Sequence, residues 1–235
     1  MRVVLFGLST ILLLDTSLTA PDAHAQAGEE KAIGLVCKAI LDVTRRPSDK
    51  DWVKAERGDI LDAGDMVRTG ERSIAVVKLK DNSLLRVQEK STVTLAGISS
   101  NGMFQKSARV DGGTVGFNIN KQKTGEEFRF TSPTSVASIR GTEGLFASTD
   151  SGDVFIILTG LGRITNLISM TSLDVPAGYL ALSDRRGHIY LRSATDKERA
   201  DATKASSLTE EERRLKLQFK NRKGETRDLI IDMKQ

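Results

Sequence analysis

The sequence predicts an all-β protein, a two-layer β-sandwich or short β-roll of about twelve strands with a small C-terminal helix and hairpin. Three observations lead there. From Ile33 to Leu191 short apolar runs recur roughly every 8 to 12 residues, with almost no 3.6-residue periodicity. Gly, Asn, Asp and Ser fill the gaps, as tight turns require. A single open sheet of so many strands would leave an apolar face wet, so the strands must stack in two layers or coil. No fixed internal repeat length is visible, which argues against a regular β-helix.

Arg2, the apolar run Val3 to Leu14 and the small-x-small pattern Ala23-His24-Ala25 read as a secretory signal peptide, 1–25, cleaved before Gln26. The run is about a dozen residues, short of the roughly 18 to 20 a membrane-spanning helix needs; an uncleaved N-terminal anchor is the alternative. Losing this segment moves the formal charge from +4 to +5, because it carries one cation and two anions. That charge permits contact with an anionic envelope surface. No run of five like charges suggests a nucleic-acid arm.

Along the β region, Ser73 to Leu79 and Leu84 to Val87 flank Lys80-Asp81-Asn82-Ser83, a hairpin signal. Runs at Thr92 to Leu95, Gly102 to Gln105, Ala108 to Val110 and Val115 to Ile119 follow, separated by Ser-Ser-Asn-Gly and Asp-Gly-Gly turns. Glu127 to Thr131 alternates Phe128 and Phe130 inward with Glu127 and Arg129 outward. Val136 to Ile139, Leu145 to Ala147, Val154 to Leu158 and Arg163 to Asn166 continue the series. Ser193 to Ser207 turns polar and reads as a helix or a mobile linker. Thr209 is placed to cap a helix ahead of Glu210 to Glu212, and Leu215 to Phe219 with Asp228 to Ile231 can pair across Asn221 to Gly224. The tail 193–235 is an appendage to the β domain 26–192 and a candidate docking element.

The inventory for chemistry is thin. Cys37 is the only cysteine, so no internal disulfide forms, and its apolar neighbours make it a core residue. His188 is the only histidine beyond the signal peptide, which leaves no Ser-His-Asp or Cys-His pattern and no His/Cys metal site. Asp59, Asp62 and Asp65 lack the alternating oxygen ligands of a calcium loop. No cofactor is predicted and an enzyme is not expected; the enzyme alternative, a glycan-cleaving carboxylate pair, needs two acids roughly 5 to 10 Å apart in a cleft. Trp52 and the phenylalanines 104, 117, 128, 130, 146 and 155 fit core packing. Arg68-Thr69-Gly70 and Arg140-Gly141-Thr142 each set a guanidinium beside a flexible amide and a hydroxyl. Their simplest role is turn-shaping, and their chemical one is to hold a carboxylate, which makes Arg68, Arg140 and Thr142 the candidate ligand or partner contacts.

Trp52, Gly58-Asp59, Leu61, Gly64-Asp65-Met66-Val67-Arg68-Thr69-Gly70, Asp81-Asn82-Ser83 and Val87 resemble the first half of the FecR domain family. Gly112-Gly113-Thr114-Val115, Thr131-Ser132-Pro133 and Ile139-Arg140-Gly141-Thr142-Glu143-Gly144-Leu145-Phe146, with Gly160 to Ile164, resemble the second half, so the likeness spans roughly Ile33 to Leu182. The resemblance implies an all-β periplasmic domain that, in its best-known members, relays a signal from an outer-membrane receptor to an anti-sigma segment. Here no helical domain precedes the apolar run, and the run reads as cleavable. The expectation is therefore the stand-alone exported form: periplasmic or secreted, non-enzymatic, binding an unknown envelope protein, with a carbohydrate or cell-wall module as alternative if Trp52, Tyr179 and Arg140 share one exposed face. Nucleic acid is not an expected partner.

Overall fold

The computed structural model describes residues 32–100, 103–207, 214–220 and 226–232. Its first strands are β1 (Gly34–Ile40), β2 (Val43–Arg46), β3 (Val53–Lys54), β4 (Ile60–Leu61), β5 (Met66–Thr69), β6 (Ile74–Leu79), β7 (Leu84–Val87), β8 (Thr92–Ser100) and β9 (Met103–Ile119). They continue with β10 (Phe128–Thr131), β11 (Ser135–Ile139), β12 (Thr142–Thr149), β13 (Gly152–Thr159), β14 (Leu161–Asn166), β15 (Ser172–Pro176), β16 (Tyr179–Asp184) and β17 (Ile189–Ser193). Helix α1 (Asp196–Ser206) and a separate hairpin, β18 (Arg214–Lys220) with β19 (Thr226–Asp232), complete the described chain. The expected all-β class holds, with seventeen strands in the joined sheet where about twelve were expected. Two-residue strands such as β3 and β4 are too short to leave a periodic signal. The signal peptide, the Thr209 cap and the turns at 101–102 and 221–224 lie outside the described residues.

The pairings resolve into two layers. Sheet A runs β4-β1-β6-β7-β9-β12-β13-β16-β17, and sheet B runs β3-β2-β5-β8-β9-β10-β11-β14-β15. β9 belongs to both. The sequence suggests three short runs over this stretch, but the chain forms one strand of 17 residues. The Asp-Gly-Gly segment is a bend instead of a turn. Thr92 pairs with Gly112 and Val93 with Val110, so Asp111 is bulged out and the strand redirects from sheet B into sheet A. Gly113 completes the bend at φ +98°, with Ser91 packed where a side chain would stand. Beyond it, β9 pairs with β7 and β12, while before it the partners are β8 and, in parallel, β10.

Between the layers lies one continuous core. Phe117, Phe146 and Phe155 from sheet A meet Phe128 and Phe130 from sheet B, all fully buried, with centroids 4.9 Å apart for Phe117–Phe130 and 5.5 Å for the stacked Phe130–Phe146. Such pairs add about 0.5–1.5 kcal/mol each beyond their burial. Phe128 and Phe130 point inward as the alternation predicts, and Arg129 pairs outside with Glu127. Cys37 is buried, as its apolar neighbours suggest, beside Val76 and Leu84, and burial pushes its thiol up to about 11.

Helix α1 closes the outer side of sheet A. Its start is a capping box: the Thr195 hydroxyl accepts from the Glu198 amide, and Glu198 accepts from the Thr195 amide at 2.8 Å. Ala202 packs with Ile156, Leu180 and Ala194. The last turn crosses Gly116 so closely that a Cβ there would sit 2.0 Å from the Ala205 carbonyl oxygen. The Arg86 and Gln88 side chains donate to the Ser207 and Ala205 carbonyls, and the Ser206 hydroxyl donates to Glu143 at 2.7 Å. A segment that reads in sequence as helix or linker is therefore a helix seated on sheet A, held at both ends.

Gly116→Ala is expected to lift the helix and lower stability by about 1–3 kcal/mol, measured by urea unfolding, with faster proteolysis within 195–207. The bidentate Arg192 contact, then the Thr195 amide, hold Glu198 at about 2, below its ordinary 4.5. A depressed carboxyl stabilises the fold fully above its unfolded value and loses that contribution as pH falls toward the folded one. The stability gap between wild type and Glu198→Gln should thus shrink as pH drops from 4.5 toward 2.

Candidate binding face

The Gly-Asp pairs build one device twice. At Glu56 to Asp59 and Asp62 to Asp65, glycine takes φ +95° as the third turn residue. The following aspartate returns its carboxylate to the amide that opens the turn: Asp59 to Glu56 at 2.8 Å, Asp65 to Asp62 at 3.1 Å. Asp59 also binds the Arg45 guanidinium at 2.8 Å. Asp65, buried, additionally accepts from the Ser48 amide at 2.9 Å and so anchors the loop between β2 and β3. That loop carries Trp52.

Trp52 is not in the core. It lies half-buried on the outer side of sheet B, with the Arg68 guanidinium 4.1 Å from its ring centroid and the Arg46 guanidinium at 5.4 Å. Strand pairing brings these cations together: Arg46 is opposite Met66 and Arg68 is opposite Thr44, so the two are diagonal neighbours on one face. The same face continues through Thr92, Thr94, Arg109, Arg129, Ser138 and Arg163. Three of its cations are paired, Arg109 with Asp111 at 2.6 Å, Arg129 with Glu127 and Arg163 with Asp174 at 2.6 Å. The last contact holds the Asp174 carboxyl below its ordinary range. Beside the face, at the β9 bend, an open cleft of about 580 Å³ is lined by Met66, Lys90, Thr92, Asp111, Asp150 and Arg185.

The three sequence-predicted contacts do not converge. Arg68 is exposed on β5, next to the turn that ends at Ser91. Arg140 is exposed at the opposite end of the sandwich, where Gly141 packs on Lys121. β8, β9 and β10 stand between β5 and β11, which alone separates the two by roughly 19 Å. Thr142 is buried with its hydroxyl donating to the Leu161 carbonyl, so it shapes the corner instead of facing a ligand. Tyr179, on β16 of sheet A, is likewise remote from Trp52. Asp59 and Asp65 sit on separate turns, each committed to the loop bonds above. The His188 ring nitrogen Nδ1 lies 2.9 Å from the Asp184 carboxylate on an exposed turn, and this hydrogen bond, with the carboxylate accepting, lowers the Asp184 carboxyl.

Sequence reasoning missed two polar clusters that frame the face. Lys106 points inward from β9 and pairs with Asp81 in the β6–β7 turn, where Gln122 also donates to Asp81 at 2.9 Å. Burial works to raise the Asp81 carboxyl, but donors from Lys106, Gln122 and the Ser83 amide hold it below its ordinary range. At the other end, Asn166 donates to the Ser183 hydroxyl at 2.8 Å, Ser135 donates to the same oxygen, and Ser132 donates to Asp153 at 2.5 Å. Only the position of these residues next to turn signals hinted at them.

Fold and face together define an all-β scaffold with one sheet face covered by α1 and the other carrying no helix among the described residues. Residues 65–161 match the family model described as FecR protein. The match bears out the likeness read from Arg68-Thr69-Gly70, Asp81-Asn82-Ser83 and Arg140-Gly141-Thr142, and runs from the residue before β5 to the first residue of β14. No curated protein matches the chain. Two crystal structures of a candidate anti-sigma factor from Parabacteroides distasonis ATCC 8503 are similar to it, with TM-scores of 0.48 and 0.47 at 10% and 11% identity. Each comparison covers 56% of this chain and 61% of the other, so the chain spans about three fifths of those structures.

Because Trp52 is the sole tryptophan, its emission reports this cluster alone. Arg68→Ala is expected to shift the emission to the red and cost about 0.5–1 kcal/mol; Arg140→Ala should change neither, as fluorescence and urea unfolding will show.

Proposed function

We propose that the chain is an exported, FecR-type regulatory binding module that presents the outer face of sheet B to a protein partner in the cell envelope. It acts in the periplasm or outside the cell and by binding, without chemistry of its own. The observation that carries this reading is the inequality of the two outer faces. Sheet A is covered by α1, whereas sheet B displays Trp52, Arg46 and Arg68 beside a polar cleft among the described residues. Tryptophan and arginine are the residue types on which protein interfaces concentrate their energy. A glycan platform is less well supported, since the Trp52 ring is taken up by guanidinium groups and Tyr179 and Arg140 lie elsewhere. Arg68 is the central contact in this reading, and Arg140, at the far end, a separate one. The FecR match supports a regulatory module, and the signal-like N-terminus supports export.

Photo-crosslinkers placed at Thr94 and, as control, at the exposed helix position Thr203 test it in the producing cells. Thr94 is expected to capture one envelope protein, with loss of most of the product on adding Arg68→Glu, and mass spectrometry of the chain should find Gln26 as its first residue. Equal capture from Thr203, or capture indifferent to Arg68→Glu, would overturn the assignment of the face.

A further inference from the structure

The turn between β14 and β15 ends in Leu167, Ile168 and Met170, which are 43%, 57% and 70% exposed. No charged residue lies between Asn166 and Ser172. Four of the turn's five amides, those of Leu167, Ile168, Ser169 and Thr171, nevertheless have partners. Asn166 Oδ1 accepts from Ile168 at 2.8 Å and Ser169 at 3.1 Å, Leu167 donates to the Thr134 carbonyl at 2.8 Å, and Thr171 donates to the Ser169 hydroxyl at 3.3 Å. Asn166 is itself fully buried and fixed by donating to Ser183 and to the Asp184 carbonyl. The tip is therefore apolar and held in place through Asn166.

The next turn, Asp184 to His188, lies alongside it: a side chain at Gly187 would stand 3.2 Å from Ser169 and 3.5 Å from Ile168. It carries Arg185 and Arg186, both exposed. Arg185 makes only a loose 3.6 Å pair with Asp150, and the Arg186 guanidinium has no partner among the described residues. Asp184 in the same turn is occupied by the amides of Arg186 and His188 and by the His188 ring.

We propose that this tip inserts into the interfacial region of an anionic lipid bilayer, with Leu167, Ile168 and Met170 among the acyl chains and Arg185 and Arg186 at the phosphates. Three features favour lipid over a protein pocket. The apolar residues form a convex tip instead of a groove. The amides of Leu167, Ile168 and Ser169 already have partners, which lowers the cost of placing this turn at the hydrocarbon boundary. An uncharged tip beside cations is complementary to an anionic headgroup layer. The contact shares Arg185 with the cleft beside the sheet B face, but its apolar tip and Arg186 are not part of that face, and the lipid test below needs no protein partner.

The test uses the full chain with Ser169→Cys carrying an environment-sensitive nitrobenzoxadiazole label; Cys37, buried and with its thiol raised, does not compete for it. Vesicles of phosphatidylglycerol and phosphatidylcholine are expected to brighten and blue-shift the label, and phosphatidylcholine alone to do so weakly. Adding Arg185→Ala and Arg186→Ala should raise the lipid concentration for half-response on the order of tenfold, and Ile168→Ser with Met170→Ser should abolish the response. A label at Lys123→Cys, at the opposite end, should stay unchanged. This readout is local, so binding of vesicles through another segment does not imitate it. An unchanged Ser169 label with anionic vesicles would overturn the proposal, as would a response that survives the Ile168 and Met170 changes or one that requires an envelope protein in place of lipid.

Discussion

The continuity of β9 is the constraint from which the rest of the architecture follows. A strand shared by two layers must bend once, and the bulge at Asp111 with Gly113 at φ +98° supplies that bend without ending the ladder. Its first half is flanked by β8 and β10, its second by β7 and β12, so four strands take their register from one. The parallel pairing of β9 with β10 is a consequence. Parallel neighbours need a long crossover, and here the second half of β9 together with residues 120–127 provides it through the opposite layer. Register in both sheets is then tied to Phe117 on β9, whose ring meets Phe130 across the core and Phe155 within sheet A.

A sandwich fixed in this way has two open ends, and each is closed by a cluster of polar side chains. At one end the inward Lys106 meets Asp81, with Gln122 and the Ser83 amide filling further carboxylate sites. A buried ion pair of this sort costs desolvation and contributes little net stability, yet losing one partner would strand the other. It pins the β6–β7 turn to sheet B. At the other end the Ser132, Ser135, Asn166 and Ser183 side chains hold three turns together. The turns that carry Leu167 to Met170 and Arg185 to Gly187 are rigid because Asn166 reaches both.

The legible part of the fold was its local part. The hairpin at 80–83, the pairing of 215–219 with 228–231, the inward Phe128 and Phe130 and the polar stretch 193–207, read as helix or linker, each rest on neighbours in sequence. What was illegible depends on pairs far apart. Asp111-Gly112-Gly113 reads as a turn because Gly-rich triplets normally are turns; only β8 lying opposite makes it a bulge. Trp52 reads as core because a lone tryptophan usually is. Its place outside follows from Asp65 holding the Ser48 loop and from a β2–β5 register that sets Arg46 and Arg68 beneath it. The Arg-Gly-Thr motif suggested a ligand at Thr142, whose hydroxyl is spent on Leu161. Motif spacing gave the family likeness, while the chemistry of the face came from long-range pairing.

The two outer faces then differ for a reason that lies in the strands themselves. On sheet A the outward residues are Leu145, Val154, Ile156, Leu158 and Leu182, an apolar set that must be covered, and Gly116 leaves room for a helix backbone to do so. On sheet B the outward residues are mostly threonines, serines and arginines, which need no cover, and Arg109, Arg129 and Arg163 pair with Asp111, Glu127 and Asp174. Arg46 and Arg68 are the exception, because they rest on an aromatic ring instead of a carboxylate. Arg46 Nη2 donates to Met66 Sδ at 2.8 Å, and neither guanidinium is paired with a carboxylate among the described residues. An acidic group on an approaching surface would meet two pre-positioned cations there without first breaking an ion pair, unlike at Arg109, Arg129 or Arg163.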